Sequence, residues 1–419
     1  MAARLLARPL PSGFAARLAG ILGTVLFAAA AVAGGADRLS VNRPPWERLV
    51  PDLFADNAWR IRGLVALQVG DSGTALVAAR AAMRSGPVEP GSAELLGAAW
   101  RLAGQPDAAE RAYRVAGQTG WRRPETQAYW IDRSIDRGDY RAAARWLDAR
   151  LRLRAQAAGD PALMAPFELD PRARAAFVER LAARPPWFEA YPGAYAALPV
   201  AQLRARAQIL RDLSRRAGPI GCGAVGGLAS ALVDHGLAGE GDALWRAGCI
   251  GRGGERGGDQ LGDGTFAAVD LARRDSVFSW WAPADSAVGT FVDNHAPPGA
   301  PRLVVSNAAP FVREVLTRMV YLPAGAYRLQ WQAIGADGRG SERVSAVLDC
   351  RAGAGEPLVA RIDPRTGLAM AEVAVDGECP TRWLSFRMAP GDGELRFGNV
   401  RMTPVGPGTV GRFSPGRGS

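Results

Sequence analysis

Residues 56–89 read DNAWRIRGLVALQVGDSGTALVAARAAMRSGPVE and residues 90–123 read PGSAELLGAAWRLAGQPDAAERAYRVAGQTGWRR. The two share a step of 34 residues: Gly70, Gly104 and Gly138 keep it, as do Ala75, Ala109 and Ala143. Gly63 and Gly97 stand at matching places before the turn glycine, and Ala82 and Ala116 at matching places after it. A fixed step of this size marks stacked supersecondary units. The pattern predicts pairs of antiparallel helices over 56–157. Small residues at the matching positions let helix axes approach, and the turn glycine takes the positive φ that ends the first helix of each pair. One pair cannot bury its apolar face alone, so the units are expected to stack into a superhelix with a concave groove.

The repeat resembles the tetratricopeptide family. Trp59, Gly63, Ala75, Ala82 and Pro87 fall on that family's W, G, A, A and P positions in the first copy. Gly97, Ala109, Tyr113 and Ala116 match in the second, with Trp100 where tyrosine is usual. In the third, Gly138, Asp139, Tyr140 and Ala143 fit, while Ile131 replaces the small residue and Arg150 the later alanine. The resemblance implies a groove that binds a protein partner and performs no chemistry; the competing reading is a helical spacer that binds nothing.

From 158 to 250 the step is lost but helical patterning continues, in Arg172–Arg184, Ala201–Arg216 and a degenerate pair over Ala224–Ala247 turning near Gly236–Gly241. This region reads as an extension and cap of the array. Gly221-Cys222-Gly223-Ala224-Val225-Gly226 spells G-x-G-x-x-G. Dinucleotide binding needs a buried strand before that loop, and what precedes it is charged and helix-patterned. No cofactor is expected.

Upstream of the repeats, Arg4, Arg8 and Arg17 precede an uncharged run, Leu18–Ala36, closed by Asp37. The run is about the length needed to cross a bilayer core. A cleaved signal peptide with Ala31-Val32-Ala33 as its small-residue site is the alternative, but the run exceeds the usual signal core of about 7–15 residues. Both readings send the rest of the chain across the membrane. The expectation is a single-pass inner-membrane protein anchored through residues 18–36, its bulk periplasmic. In such an oxidising compartment Cys222, Cys249, Cys350 and Cys379 suggest two disulfides, with pairing of sequence neighbours the simplest connectivity and buried free thiols the alternative.

Composition closes off much chemistry. The chain has 419 residues, room for two or three domains, and a net charge of +10. All 51 basic residues are arginine, which points to the coding bias of a GC-rich bacterial genome. They are interleaved with acids along the whole chain, so no nucleic-acid partner is expected. Without lysine there is no P-loop, Schiff-base or Ser-x-x-Lys chemistry. Only His235 and His295 are present, too few for a three-histidine zinc centre, and no metal site is expected. Asp234 and His235 are helix neighbours that point about 100° apart and form no dyad.

Gly251–Gly264 reads as a flexible linker, and near residue 265 the periodicity changes from helical to alternating. Tyr327, Leu329, Trp331 and Ala333 alternate with polar residues. Val344, Ala346 and Leu348 do the same, and Leu384, Phe386 and Met388 oppose Trp383, Ser385 and Arg387. Leu395, Phe397, Val400 and Met402 break stride at Gly398-Asn399, as a β-bulge would. Short strands with Gly/Pro turns over 265–405 predict an antiparallel β-sandwich, with a disordered tail over 406–419. Leu303–Val305, Leu322–Leu329 and Phe397–Met402 give it a resemblance to the galactose-binding-like jelly rolls of carbohydrate-binding modules. That resemblance implies glycan or protein binding. Because Trp280 and Trp281 face opposite ways by alternation, one of them is expected to be exposed. Trp281 and Trp383 are the candidates to stack on a sugar, with Arg387, Gln330 and Gln332 as polar companions; burial against loops is the alternative. His295 lies in a turn with no acid or nucleophile converging on it.

The expected architecture runs from residues 1–36 (cytoplasmic tip and anchor) through a linker at 37–55 to three repeats at 56–157. A helical cap (158–250), a linker (251–264), the β-sandwich (265–405) and a tail (406–419) follow. The expected function is a non-enzymatic scaffold of the bacterial envelope, docking a protein in the repeat groove and polysaccharide or protein on the sandwich. Such a layout resembles accessory proteins of exopolysaccharide assembly. The alternative is a carbohydrate-processing enzyme with a carboxylate pair on the β-domain.

Overall fold

The computed structural model describes residues 12–250, 258–266, 269–297 and 300–405. Arg4, Arg8, the first half of the expected linker and the expected tail lie outside the described residues. The chain forms two compact units, Met1–Leu153 and Arg154–Ser419.

In the first unit a long helix, α1 (Ser12–Ser40), precedes three helix pairs. They are α2 (Asp56–Gln68) with α3 (Ser72–Ser85), α4 (Pro90–Leu102) with α5 (Pro106–Gly120), and α6 (Pro124–Asp136) with α7 (Tyr140–Leu153). Every pair turns on the same device. Gly70, Gly104 and Gly138 have φ of 78°, 68° and 72°. The residue after each glycine donates its N–H back into the helix: Asp71 to Ala66 at 2.9 Å, Gln105 to Trp100 at 2.9 Å, Asp139 to Ser134 at 2.8 Å. This is the Schellman C-cap, made three times at one spacing. Proline opens α4, α5 and α6, where a missing N–H costs nothing.

The small residues earn their place by proximity. A Cβ on Gly63 would stand 2.6 Å from the Leu95 side chain, and one on Gly97 would stand 2.7 Å from the Tyr113 ring. Ala75, Ala109 and Ala143 are buried. The third pair departs from this rule: Ile131, at the place of Gly63 and Gly97, is buried, and bulk replaces close approach. Tyr113 stacks on Tyr129 at 4.0 Å, and Trp130 on Trp146 at 6.3 Å.

Residues Arg17–Ser40 of α1 are long and apolar enough to cross a membrane, and their most apolar window is 6% buried. Its far end is nevertheless docked. The Asp37 carboxylate accepts from the Asn57 and Ala58 N–H groups (3.1 and 2.8 Å) and from Asn57 Nδ2 (2.8 Å), capping α2, whose own N-cap residue Ala55 offers no side-chain bond. Glu94 of α4 does the same for α6, accepting from the Thr126 N–H (3.1 Å) and hydroxyl (2.9 Å). Ala58 and Thr126 hold the same place in their copies, so α1 serves α2 as α4 serves α6.

The second unit begins with helices α8 (Pro161–Leu169), α9 (Pro171–Ala182), α10 (Ala190–Gly193), α11 (Val200–Ala217), α12 (Cys222–Asp234) and α13 (Ala238–Trp245). Gly236, φ 74°, makes the α12–α13 turn with a further Schellman cap, Leu237 N–H to Leu232 O at 2.8 Å. The centre of the helices is polar. Glu168 and Arg206 are fully buried and paired at 2.7 Å, with the Tyr191 hydroxyl and Gln202 amide also on the carboxylate. Helix α11 precedes Gly221, so no β-strand leads into the G-x-G-x-x-G stretch.

Among the described residues nine strands follow, all pairs antiparallel: β1 (Val288–Val292), β2 (Leu303–Asn307), β3 (Arg313–Tyr321), β4 (Gly325–Ile334), β5 (Val344–Asp349), β6 (Arg361–Ile362), β7 (Leu368–Val375), β8 (Thr381–Met388) and β9 (Gly391–Pro404). They form a six-stranded sheet, β1-β2-β9-β4-β7-β6, and a three-stranded sheet, β3-β8-β5. One core serves both, with Phe386 meeting Trp280, Trp331 and Phe397. The β9 bulge falls at Asn399, φ 53°, where the pairing with β4 slips.

Two expectations are corrected. Residues 258–264 are not loose linker: Gln260 N–H bonds Met402 O (2.7 Å), Val400 N–H bonds Gly264 O (3.1 Å), and Leu261 is buried in the β core. Their glycines serve turns and close approach to β9, which composition cannot tell from flexibility. The helices from 154 onward group with the β-sheets and not with the repeats. Buried Arg318 of β3 reaches Asp263 at 2.6 Å, and α13 lies on β3 with Gly239 facing the Tyr321 ring. Both disulfides form, Cys222–Cys249 and Cys350–Cys379.

Candidate functional site

In the first unit, a groove of about 850 Å³ runs along α2 and α4 and ends at the start of α6. Its floor is Ile61, Leu64 and Leu67 of α2 with Leu95, Ala98 and Leu102 of α4; Arg60, Arg101 and Arg123 stand on its walls beside Glu94 and Glu125. The apolar floor follows from helical spacing, because residues three and four apart share a face. Two of the arginines are already engaged: Arg60 holds Glu89 at 2.7 Å and Arg123 holds Glu94 at 2.8 Å. Leu64 and Leu102 remain exposed. An apolar trough walled by guanidinium groups is chemically suited to an extended or helical peptide.

The residues expected to pack the repeats sit in helix contacts or turns: Gly63, Ala75, Gly97, Ala109, Tyr113 and Ala143 inside, Gly70, Gly104 and Gly138 at the turns. Trp59 is half-buried with the Arg62 guanidinium 4.5 Å over its ring. Burial pushes the Tyr113 hydroxyl up to about 12. The groove floor was not among the expected site residues, although the i, i+3, i+6 recurrence of Ile61, Leu64 and Leu67 in α2 and the i, i+3, i+7 recurrence of Leu95, Ala98 and Leu102 in α4 were signals for it.

On the β-domain the structure divides the expected sugar-binding set. Trp280 is buried, its Nε1–H donating to Asp263 at 3.0 Å. Trp281 bridges Thr317 of β3 and Trp383 pairs across Met319, so both stand on the outer face of the three-stranded sheet. The Arg274 guanidinium lies 4.7 Å over Trp281 and 5.9 Å over Trp383, a placement that leaves no trace in local spacing. Arg387 is spent on the carbonyls of Gly353, Ala354 and Gly355. Gln330 and Gln332 belong to β4 in the other sheet, where Gln332 bonds Thr366 O and Asn399 Nδ2. They do not neighbour the tryptophans, because alternation puts these side chains on the outer faces of opposite layers.

Two buried carboxylates and one half-buried one in this unit are held in ion pairs: Glu168 with Arg206, Asp242 with Arg246, and half-buried Asp263 with Arg318. Burial is the leading cause that raises all three above the ordinary carboxylate range. Among the described residues no group of His, Cys, Asp or Glu is arranged to hold a metal ion. His295 is exposed, with its N–H on Asp293 at 2.8 Å.

No family model matches the chain, and no curated protein matches it. Among solved structures, TmCBM61 in complex with beta-1,4-galactotriose is similar over 35% of this chain and 99% of its own, at 14% identity and a TM-score of 0.25. A likeness at that score carries no argument for either fold or ligand.

Proposed function

We propose that this protein is a non-enzymatic, membrane-anchored scaffold whose tetratricopeptide-type array docks a protein segment. The observation that carries the reading is the groove along α2 and α4, closed by the start of α6, with an apolar floor and arginine walls. It is built on three helix pairs that share one turn device at one spacing. Candidate span Arg17–Ser40 supplies the anchor, and two disulfides suit an oxidising compartment on its far side. The β-domain, read as a jelly roll, offers a second surface at Trp281, Arg274 and Trp383, where half-buried indoles and a guanidinium suit a glycan.

A photo-crosslinking residue at Leu64 of the full chain in its native membrane tests the docking. One partner band is expected from Leu64, none from Val77 on α3, and loss of the band on Arg101→Glu. Equal capture from both positions sinks the reading. For the β-domain, a glycan array probed with the full chain should lose signal in a Trp281→Ala/Trp383→Ala variant; an unchanged profile removes the glycan role.

A further inference from the structure

The connector between α1 and α2 carries apolar side chains that the fold leaves uncovered. Leu49 is 70% exposed and Leu53 85%, and Trp46 and Phe54 are exposed beside them. The connector is two 3-10 turns, Pro44–Leu49 and Asp52–Phe54. Residues three apart eclipse in such a turn, so Trp46 and Leu49 stand in one column. The other side is committed inward: Glu47 binds Arg62 at 2.7 Å, and Val50 is buried with Ala55 and Ala58. Arg43 and Arg48 are exposed alongside the apolar column.

Position says what covers this face. The candidate span ends at Ser40, and the cap that Asp37 places on α2 holds the end of α1 against the first repeat. The connector therefore starts where the apolar helix stops and cannot swing away from it. Exposed Leu with Trp and Phe at the end of a span, flanked by arginines, is the composition of a membrane interface. We infer that residues 43–54 form a foot seated in the headgroup region of a bilayer containing anionic lipid. Trp46 and Phe54 lie at the interface, Leu49 and Leu53 reach the acyl boundary, and Arg43 and Arg48 face phosphates. This rests on the membrane-anchored reading of α1. Its consequence is that the groove, whose rim includes Val41, opens at the membrane surface.

The test uses the full chain in phosphatidylcholine/phosphatidylglycerol vesicles with an environment-sensitive fluorophore on one introduced cysteine. All native cysteines are in disulfides, so the label goes to a single site in each of Leu53→Cys, Val25→Cys and Val88→Cys. Val25 lies within α1, and Val88 is 80% exposed in the α3–α4 turn. Expected are quenching of the Val25 site by deep spin-labelled lipid, blue-shifted emission and quenching by shallow spin-labelled lipid at Leu53, and neither at Val88. Leu53 as wet as Val88 while Val25 sits in lipid overturns the foot alone. Val25 in water overturns the anchored reading and the foot with it. Omitting phosphatidylglycerol should reduce the Leu53 shift; indifference overturns the part given to the arginines.

Discussion

Gly97 and Gly104 are glycines for different reasons, and substitution separates them. At Gly104 a Cβ meets nothing within 4 Å, and φ is 68°. Gly104→Ala should therefore cost about 1–2 kcal/mol from conformation alone. At Gly97 the added Cβ meets the Tyr113 ring, and overpacking should cost about 1–3 kcal/mol. Urea midpoints of the Tyr113→Leu background discriminate: that change should soften Gly97→Ala and leave Gly104→Ala as it was. The buried pair behaves differently again. Arg206→Met strands Glu168 and should cost about 3–5 kcal/mol, whereas adding Glu168→Gln should return part of it. Thermal unfolding of the two variants measures the difference, and a double variant worse than the single would contradict the account.

Between elements, one tie from α5 to α6 is electrostatic, beside the Tyr113–Tyr129 stack. Glu110 of α5 accepts from Arg133 of α6 (3.1 Å) and from Arg137, the residue that caps α6 (2.6 Å). The Arg137 hydrogen bond, then that of Arg133, holds its carboxyl below the usual range. The native state then binds fewer protons than the unfolded one. Its contribution is complete above the unfolded value of about 4.3 and is lost as pH falls through the lowered folded value. Glu110→Gln should cost about 1 kcal/mol at neutral pH, since both arginines are partly solvated. That deficit should close on acidification below pH of about 4, read by urea unfolding across a pH series. A deficit that stays constant with pH would assign Glu110 a packing role only.

At the scale of the whole molecule, all four cysteines lie in the unit that begins at Arg154. The bridges close loops of 27 and 29 residues, so each should be worth about 3–4 kcal/mol in the chain-entropy account. Reduction should lower the unfolding transition of that unit and leave the repeat unit's transition in place. Calorimetry with and without reductant shows this, and a joint shift would mean that the two units unfold as one.

The repeats, their turn glycines, the long apolar helix, the alternating strands and the Asn399 bulge were legible in the sequence because each depends on local periodicity or on one residue's backbone freedom. A 34-residue step and a period of two survive without knowledge of neighbours. Tertiary structure alone decided what met across the chain: Arg274 over two tryptophans, Gln330 and Gln332 on the far sheet, residues 258–264 strapped to β9, and Asp37 capping α2 from another helix. These depend on which faces the folded chain brings together. Pairings between segments far apart in sequence leave no periodic trace, so a side chain's partners, and with them its role, follow from packing and not from spacing.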